Sequence, residues 1–259
     1  MSDTPVHFAA DGAIARLTLS RPAKRNAVSP EMAAGLEAAL DQLEGCPQLR
    51  VGVISGAGDA AFCAGADLSY IARGEGARLS TPRGGFAGLV RYPRSKPLIA
   101  AVHGYALAGG FEIALACDLI IAERSAQFGL PEVTRGLIAN GGGLLRLASA
   151  LPRARALDLI LTGRRLDATE AAELGLVSRV VDDGEALPAA LSLAATIAGH
   201  PAAVVRESLY LANAAASPPP AELWALCAEI AGRLRGADDA IEGATAFLDR
   251  REAPWNERQ

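Results

Sequence analysis

Residues Pro97 to Glu123 read PLIAAVHGYALAGGFEIALACDLIIAE, and the fold and the chemistry of the chain both turn on this stretch. The apolar residues up to His103 read as a buried strand, and Ala108-Gly109-Gly110 as a turn whose backbone can approach another group closely. A helix follows with Ile113, Ala114, Leu115, Ala116 and Cys117 apolar on every side, so Glu112 enters a core-bound helix in its first turn. A carboxylate there is costly without a partner or a task. Two readings stand: a helix N-terminal charge satisfied by backbone, or a functional group. The same run is the most apolar in the chain and must be weighed as a membrane span. Glu112 and Asp118 each oppose insertion by roughly 2.5–3.5 kcal/mol at a helix centre, and two glycines weaken a continuous helix, so no span is expected.

Working outward, Ile14 to Leu19 alternates apolar and polar residues as a half-buried strand does, and Ser20-Arg21-Pro22 ends it. The loop that follows is basic, with Arg21, Lys24 and Arg25. Ser29 before Pro30 predicts an N-cap with proline in the first turn of a helix running to about Leu43. Val51 to Ser55 is a second buried strand, and strand, helix, strand indicates an α/β layer. On the other side, Gln127 to Val133 reads as a short strand or turn that stops near a second carboxylate, Glu132. Asn140-Gly141-Gly142-Gly143 precedes a helix, Ala154 to Leu161 and Thr169 to Leu174 read as two more, with Asp167 or Thr169 as a cap, and Gly175 to Val181 as a last strand. Residues 73 to 96 lack periodicity and are either a mobile loop beside a site or a surface excursion. From Glu185 the pattern is helical: Leu187 to Ala198, Pro201 to Ala215 and Ala221 to Leu234. The chain is accordingly divided into an α/β core, 1–185, and a helical region, 186–259. No internal repeat of fixed period is found.

Composition narrows the class. The chain has 259 residues, 51% of them hydrophobic and 21% charged, which suits a folded enzyme. A formal net charge of −4 gives no global electrostatic case for nucleic acid. The N-terminus MSDTPVHFAADG has no basic region leading into an apolar one, so a cytoplasmic location is expected. Cys46, Cys63, Cys117 and Cys227 are widely spread with no CxxC pair, so packing thiols are expected, not a metal site or disulfides.

Four constellations compete. Gly56 to Ala61 (GAGDAA) satisfies the letters of a dinucleotide fingerprint, but a further turn follows it where a helix should open. Cys63, His103 and Asp67 offer a hydrolase trio without a nucleophile elbow. The turns Cys63 to Asp67 and Ala106 to Gly110 each follow an apolar strand; two backbone N–H groups from such turns can hold one oxygen as it becomes negative, or the small residues are simply tight packing. Glu112 and Glu132 stand in the most apolar contexts of all carboxylates here. If both face one cavity, burial and repulsion raise at least one pKa toward neutrality and suit acid–base work on a water. Their spacing alone leaves this open.

The chain resembles the enoyl-CoA hydratase/isomerase, or crotonase, family over nearly its whole length. The resemblance is carried by SRPAKRNAVS, AFCAGADL, KPLIAAVHGYALAGGFEIALACDLIIAE, FGLPEVTRGLIANGGGLLRL, LTGRRLDATEAAELGLVSRVV and DDAIEGATAFLDRREAPW. It implies an α/β fold, a crotonase-like spiral of ββα units with a C-terminal helical trimerisation region, and a homotrimer or a hexamer. By position it implies oxyanion-hole N–H groups at Ala66 and Gly109 and catalytic carboxylates at Glu112 and Glu132. Lys24, Arg25, Ala64, Asp67 and Leu68 would flank coenzyme A, which belongs to the acyl-CoA substrate, and no metal or separate cofactor is implied. The implied reaction is syn addition of water to a 2-enoyl-CoA. Many hydratases carry proline and then glycine where Ala139 and Asn140 stand; the Asn140 side chain could bond a polar substrate tail or the water. FEIALACD and the C-terminal pattern are similar to the carnitinyl-CoA dehydratase branch. A dehydratase, a double-bond isomerase and a non-catalytic acyl-CoA binder are the alternatives.

Overall fold

Strands buried on both faces read as continuous apolar runs because covered parallel sheets leave no polar side. Val51–Gly56 (β3) and Leu98–Val102 (β7) are such strands, and they form the middle of a six-stranded sheet. The structure, a computed structural model, describes residues 4–215 and 238–251 and the positions 225, 228, 229 and 232. Its first sheet runs β1 (Val6–Asp11), β2 (Ile14–Leu19), β3, β7, β9 (Leu119–Glu123), β12 (Arg179–Val181). Only the β1–β2 pair is antiparallel. A second sheet orders β11 (Arg165–Asp167), β10 (Gln127–Gly129), β8 (Tyr105–Leu107) and β4 (Ala61–Cys63).

The chain passes repeatedly from the first sheet to the second and then into a helix. β3 leads to β4 and helix α2 (Leu68–Ala72), β7 to β8 and α3 (Gly109–Ala116), and β9 to β10 and, after a 3-10 turn at Pro131–Arg135, to α4 (Gly143–Ala150). These are the expected ββα units. They begin at residues 51, 98 and 119, too irregularly for a fixed period to show in the sequence.

Alternation along each strand divides the core in two. Ile54, Leu98, Ala100 and Val102 face the larger cluster, where helix α1 (Pro30–Gly45) contributes Met32, Leu36, Leu40 and Leu43. Ser29 caps α1 by accepting from the Met32 N–H. Val51, Val53, Ile99, Ala101 and Ile121 face the other way, onto Ala186, Ala190 and Ala194 of α7 (Ala186–Ala198). Beyond residue 185 the described chain is helical: α7 lies on this sheet, α8 (Ala202–Ala215) follows, and α9 (Asp238–Leu248) packs against α2 and the Pro131–Arg135 turn. The helix expected from Ala221 to Leu234, and Cys227, fall mainly or wholly outside the described residues.

Several local expectations change. Residues 73–96 are ordered: a 3-10 turn at Gly76–Leu79 precedes a hairpin of β5 (Ser80–Thr81) and β6 (Gly85–Phe86), and Leu79, Leu89 and Val90 are buried. Glu37 of α1 tethers that hairpin through the Gly84 N–H at 2.8 Å. The pattern was invisible because anchoring comes from a different helix. The strand expected over Gly175 to Val181 shrinks to Arg179–Val181, since Gly175 turns the chain at φ 79°. The apolar run 97–123 is β7, β8, α3 and β9, and among the described residues no single helix is long and apolar enough to cross a membrane.

Candidate active site

α3 starts abruptly. Ala108, whose N–H donates to Gly129 O at 2.8 Å, adopts φ 52° and ψ −129°, a conformation that strains any residue with a Cβ. The strain turns the end of β8 straight into the helix. Phe111 and Glu112 both donate their N–H groups to Ala108 O, at 2.9 and 3.1 Å, while the N–H of Gly109 belongs to the set that helix geometry leaves unpaired. Gly110 allows this first turn to rest on β4, where a Cβ would fall 1.9 Å from Cys63 O.

The second turn lies against the first. Val28 N–H donates to Gly65 O at 2.8 Å and Asp67 N–H to Val28 O at 3.0 Å, a parallel bridge between Val28 and Ala66. In parallel pairing the flanking residues carry the bonds, so the Ala66 N–H points away from Val28. A Cβ on Gly65 would lie 3.0 Å from Gly109 N, so the two turns touch. The Asp67 carboxylate is already engaged: it caps α2 through the Ser69 N–H and hydroxyl, at 3.2 and 2.7 Å, and pairs with Arg21 at 3.0 Å. Its contribution is to hold this turn in shape.

Glu112 and Glu132 are 3% and 9% exposed, two of the few buried charged groups. Glu112 Oε1 accepts from the Gly143 N–H at 2.9 Å. The glycines of the 141–143 loop exist for this approach, since a Cβ on Gly141 would sit 2.6 Å from Glu112 Oε2. Arg146 pins the loop by donating to Gly141 O at 3.1 Å and Val90 O at 2.6 Å. Burial pushes the Glu112 carboxyl up into the neutral range, opposed by the Gly143 N–H, the Arg146 charge and the Gly141 N–H. Glu132 is raised further, by burial first and then by the neighbouring Glu112 charge. Its Oε2 is buried and without a hydrogen-bond partner among the described residues. Burial, and for Glu132 the neighbouring Glu112 charge, thus favour the protonated form on this pair, whose titrations are linked.

One cavity of about 420 Å³ collects Lys24, Arg25, Ala64, Ala66, Asp67, Leu68, Gly109, Glu112, Glu132 and Asn140, the residues that the family resemblance pointed to. It also takes in residues that the sequence did not single out: Phe86, Arg135, Arg165, Phe247 and Leu248. Arg135 carried one signal, its place three residues after Glu132; Phe86 carried none, because the hairpin that brings it to Gly109 is tethered from α1. Chemically, two N–H groups in adjoining turns can hold one oxygen that gains charge, beside a carboxyl pair able to give and take a proton.

The competing constellations do not assemble. Cys63 is fully buried, with burial pushing its thiol up to about 12, and neither it nor His103 lines the cavity. Gly56 to Ala61 runs from the end of β3 through a turn into the start of β4, with no helix to receive a pyrophosphate.

The family model described as enoyl-CoA hydratase/isomerase matches residues 9–258. A carnitinyl-CoA dehydratase of Proteus mirabilis (strain HI4320) is 36% identical over 258 residues, covering 98% of each chain. The crystal structure of a carnitinyl-CoA hydratase from Mycobacterium avium matches with a TM-score of 0.92 and 41% identity, covering 99% of this chain and 100% of the other. An enoyl-CoA hydratase from Mycobacterium tuberculosis H37Rv matches with a TM-score of 0.79 and 43% identity, covering 97% and 98%. Ordered motifs, sheet passage and whole-length similarity agree, and the chain belongs to the enoyl-CoA hydratase/isomerase family.

Proposed function

We propose that this protein is a lyase that adds water reversibly across the double bond of 2-enoyl-CoA thioesters. The observation that carries the reading is the convergence of Glu112 and Glu132, both raised toward neutrality, on the cavity where the Ala66 and Gly109 turns meet. In this reading the Ala66 and Gly109 N–H groups receive the thioester oxygen as it gains enolate charge. Each such donor is worth about 2.7–4 kcal/mol of transition-state stabilisation.

Glu112 accepts hydrogen bonds that favour its ionised form, so it is assigned the charge, and Glu132 the proton. Both carboxyls hold the water. Glu112 takes a proton from it as the hydroxyl oxygen bonds the β-carbon, and Glu132 gives its proton to the α-carbon on the same face. The product carries H and OH added syn, and the pair is reset when a proton passes from Glu112 to Glu132 through the next water. Lys24 and Arg25 are assigned to the phosphates of coenzyme A, the group that lysine and arginine commonly meet. The reaction uses no cofactor beyond the coenzyme A of the substrate. A cytoplasmic homotrimer or hexamer completes the proposal; Val204, Tyr210 and Leu211, exposed at 61%, 66% and 64% on α8, support self-association.

A dehydratase acting in the reverse direction uses the same groups, and the similarity to proteins named carnitinyl-CoA dehydratase favours it as the second reading. Loss of the conjugated-thioester absorbance of crotonyl-CoA is the test. Turnover by wild type and its collapse in Glu132→Gln are expected. Inactivity on short and medium enoyl-CoAs, with no effect of Glu132→Gln on any turnover found, sinks the hydratase reading. Tight acyl-CoA binding without turnover would leave a binder.

A further inference from the structure

The cavity holds more positive charge than this chemistry uses. Apart from Lys24 and Arg25, two arginines line it, Arg135 and Arg165. In a 3-10 turn residues three apart share a face, so Pro131–Arg135 puts the arginine on the side of Glu132, near enough for the two charges to act on each other. The Arg135 guanidinium lies 5.0 Å from the Phe247 ring centroid, and its Nη1 donates to Pro131 O at 3.0 Å. Arg165 sits 5.2 Å from the Tyr105 ring centroid.

Among the described residues no carboxylate is within ion-pair distance of either. The neighbouring arginines are treated differently. Arg164 pairs with Asp158 and Glu170 at 2.6 and 2.7 Å, and Arg21 with Asp67 at 3.0 Å. Arg135 is partly buried, and burial together with the charge of Arg165 works against its protonated form, with Glu132 alone in its favour. A cation desolvated without a counter-ion is costly, and a ligand that brings the negative charge removes that cost. A guanidinium fork also matches a carboxylate in two hydrogen bonds. A quaternary ammonium is disfavoured at this end, because Arg135 occupies the Phe247 face and both arginines repel a cation.

We propose that the acyl end of this cavity recognises a carboxylate on the substrate tail, so that the preferred substrates are coenzyme A thioesters of ω-carboxylated acyl chains. This rests on the acyl-CoA reading of the site and narrows it. Arg135 is the specificity-determining residue, and Arg165 and Asn140 assist from the same lining.

Binding of saturated, unreactive thioesters tests this without turnover. Dissociation constants are measured calorimetrically for glutaryl-CoA against pentanoyl-CoA, for adipyl-CoA against hexanoyl-CoA, for 4-trimethylammoniobutanoyl-CoA and for free coenzyme A. The diacid thioester is expected to bind about tenfold tighter or more in at least one matched pair, the value of a charge-assisted hydrogen bond, and the ammonium thioester weakest. Arg135→Gln should bring that ratio near one, and Arg135→Lys should keep part of it. Equal or tighter binding of the neutral partner in both pairs overturns the proposal. So does an Arg135→Gln variant that weakens both members of a pair and free coenzyme A alike, since the arginine would then serve the phosphates. Crotonyl-CoA hydration alongside equal binding of matched pairs would leave the hydratase reading standing and remove this inference; no binding of any thioester would remove both.

Discussion

The two ends of α3 bury charge in opposite ways. Past its C-terminus, Asp118 meets the Arg94 guanidinium in a two-pronged pair, with the Nη2–Oδ1 contact at 2.8 Å, and also accepts from the Leu98 N–H at 2.7 Å. Arg94 itself donates to Ala116 O at 2.9 Å. Every charge there has its answer, and the ensemble ties the helix end to β7. In the first turn of the same helix, Glu112 is held by the Gly143 N–H, with no ion pair to it among the described residues; burial raises its carboxyl, and its charge in turn raises the neighbouring Glu132. A satisfied buried charge fixes structure. An under-satisfied one keeps a proton near neutrality, which a fully paired carboxylate cannot do.

That contrast can be broken at each end. Glu112→Gln should lower kcat for hydration by about 10²–10⁴-fold, the usual worth of a positioned acid or base, while the unfolding free energy holds or rises. Parallel losses of activity and stability would place Glu112 with the structural charges. Arg94→Met should do the reverse. Stranding Asp118 costs about 3–5 kcal/mol of stability, readable as a shifted denaturant midpoint, and a loss under about 1 kcal/mol would show that the pair is not buried in function.

Smaller effects sharpen the picture. Gly109→Ala places a Cβ 2.4 Å from two ring carbons of Phe86, so overpacking should cost about 1–3 kcal/mol and reduce kcat/KM by moving the N–H donor. Phe86→Leu added to it should recover part of both; no recovery would detach Phe86 from the donor turn. The smallest effect concerns pH. The Glu132 carboxyl is raised in the folded state from its ordinary 4.5, so the folded protein binds more protons than the unfolded chain above that value. Its contribution to stability is fully present below 4.5 and is lost as pH rises through the folded value. Glu132→Gln should therefore gain stability on wild type as pH climbs from 5 to 9, the gap widening through the range. A gap that narrows over that range contradicts the raised pKa.

Much of this was legible locally. The alternation of Ile14 to Leu19 reappears in its burial pattern, Ser29 caps α1, and Asp167 caps helix α6 (Ala168–Glu173) by accepting from the Glu170 N–H. Glu112 announced itself as a carboxylate in an apolar helix, and the family resemblance supplied the ββα passage. What stayed hidden depends on strand pairing between distant segments. β8 is hydrogen-bonded to β4 on one side and β10 on the other, and this joins the turns of Ala66 and Gly109 and the Glu132 segment. No spacing encodes that meeting. Arg135 escaped notice because a charged residue in a turn reads as solvated, and Phe247 because α9 reaches the cavity from the far end of the chain.

The central claim is that Glu112 and Glu132 share one working proton, and the pH dependence of kcat/KM for crotonyl-CoA hydration tests it most directly. With one carboxyl ionised and one protonated in the active form, the profile should be a bell: low pH fills both sites and removes the base, high pH empties both and removes the acid. The maximum should fall in the neutral range, above the ordinary carboxylate value. A rate that stays flat through that range, or that follows a single ionisation near 4.5, would contradict the shared proton and with it the account of the site.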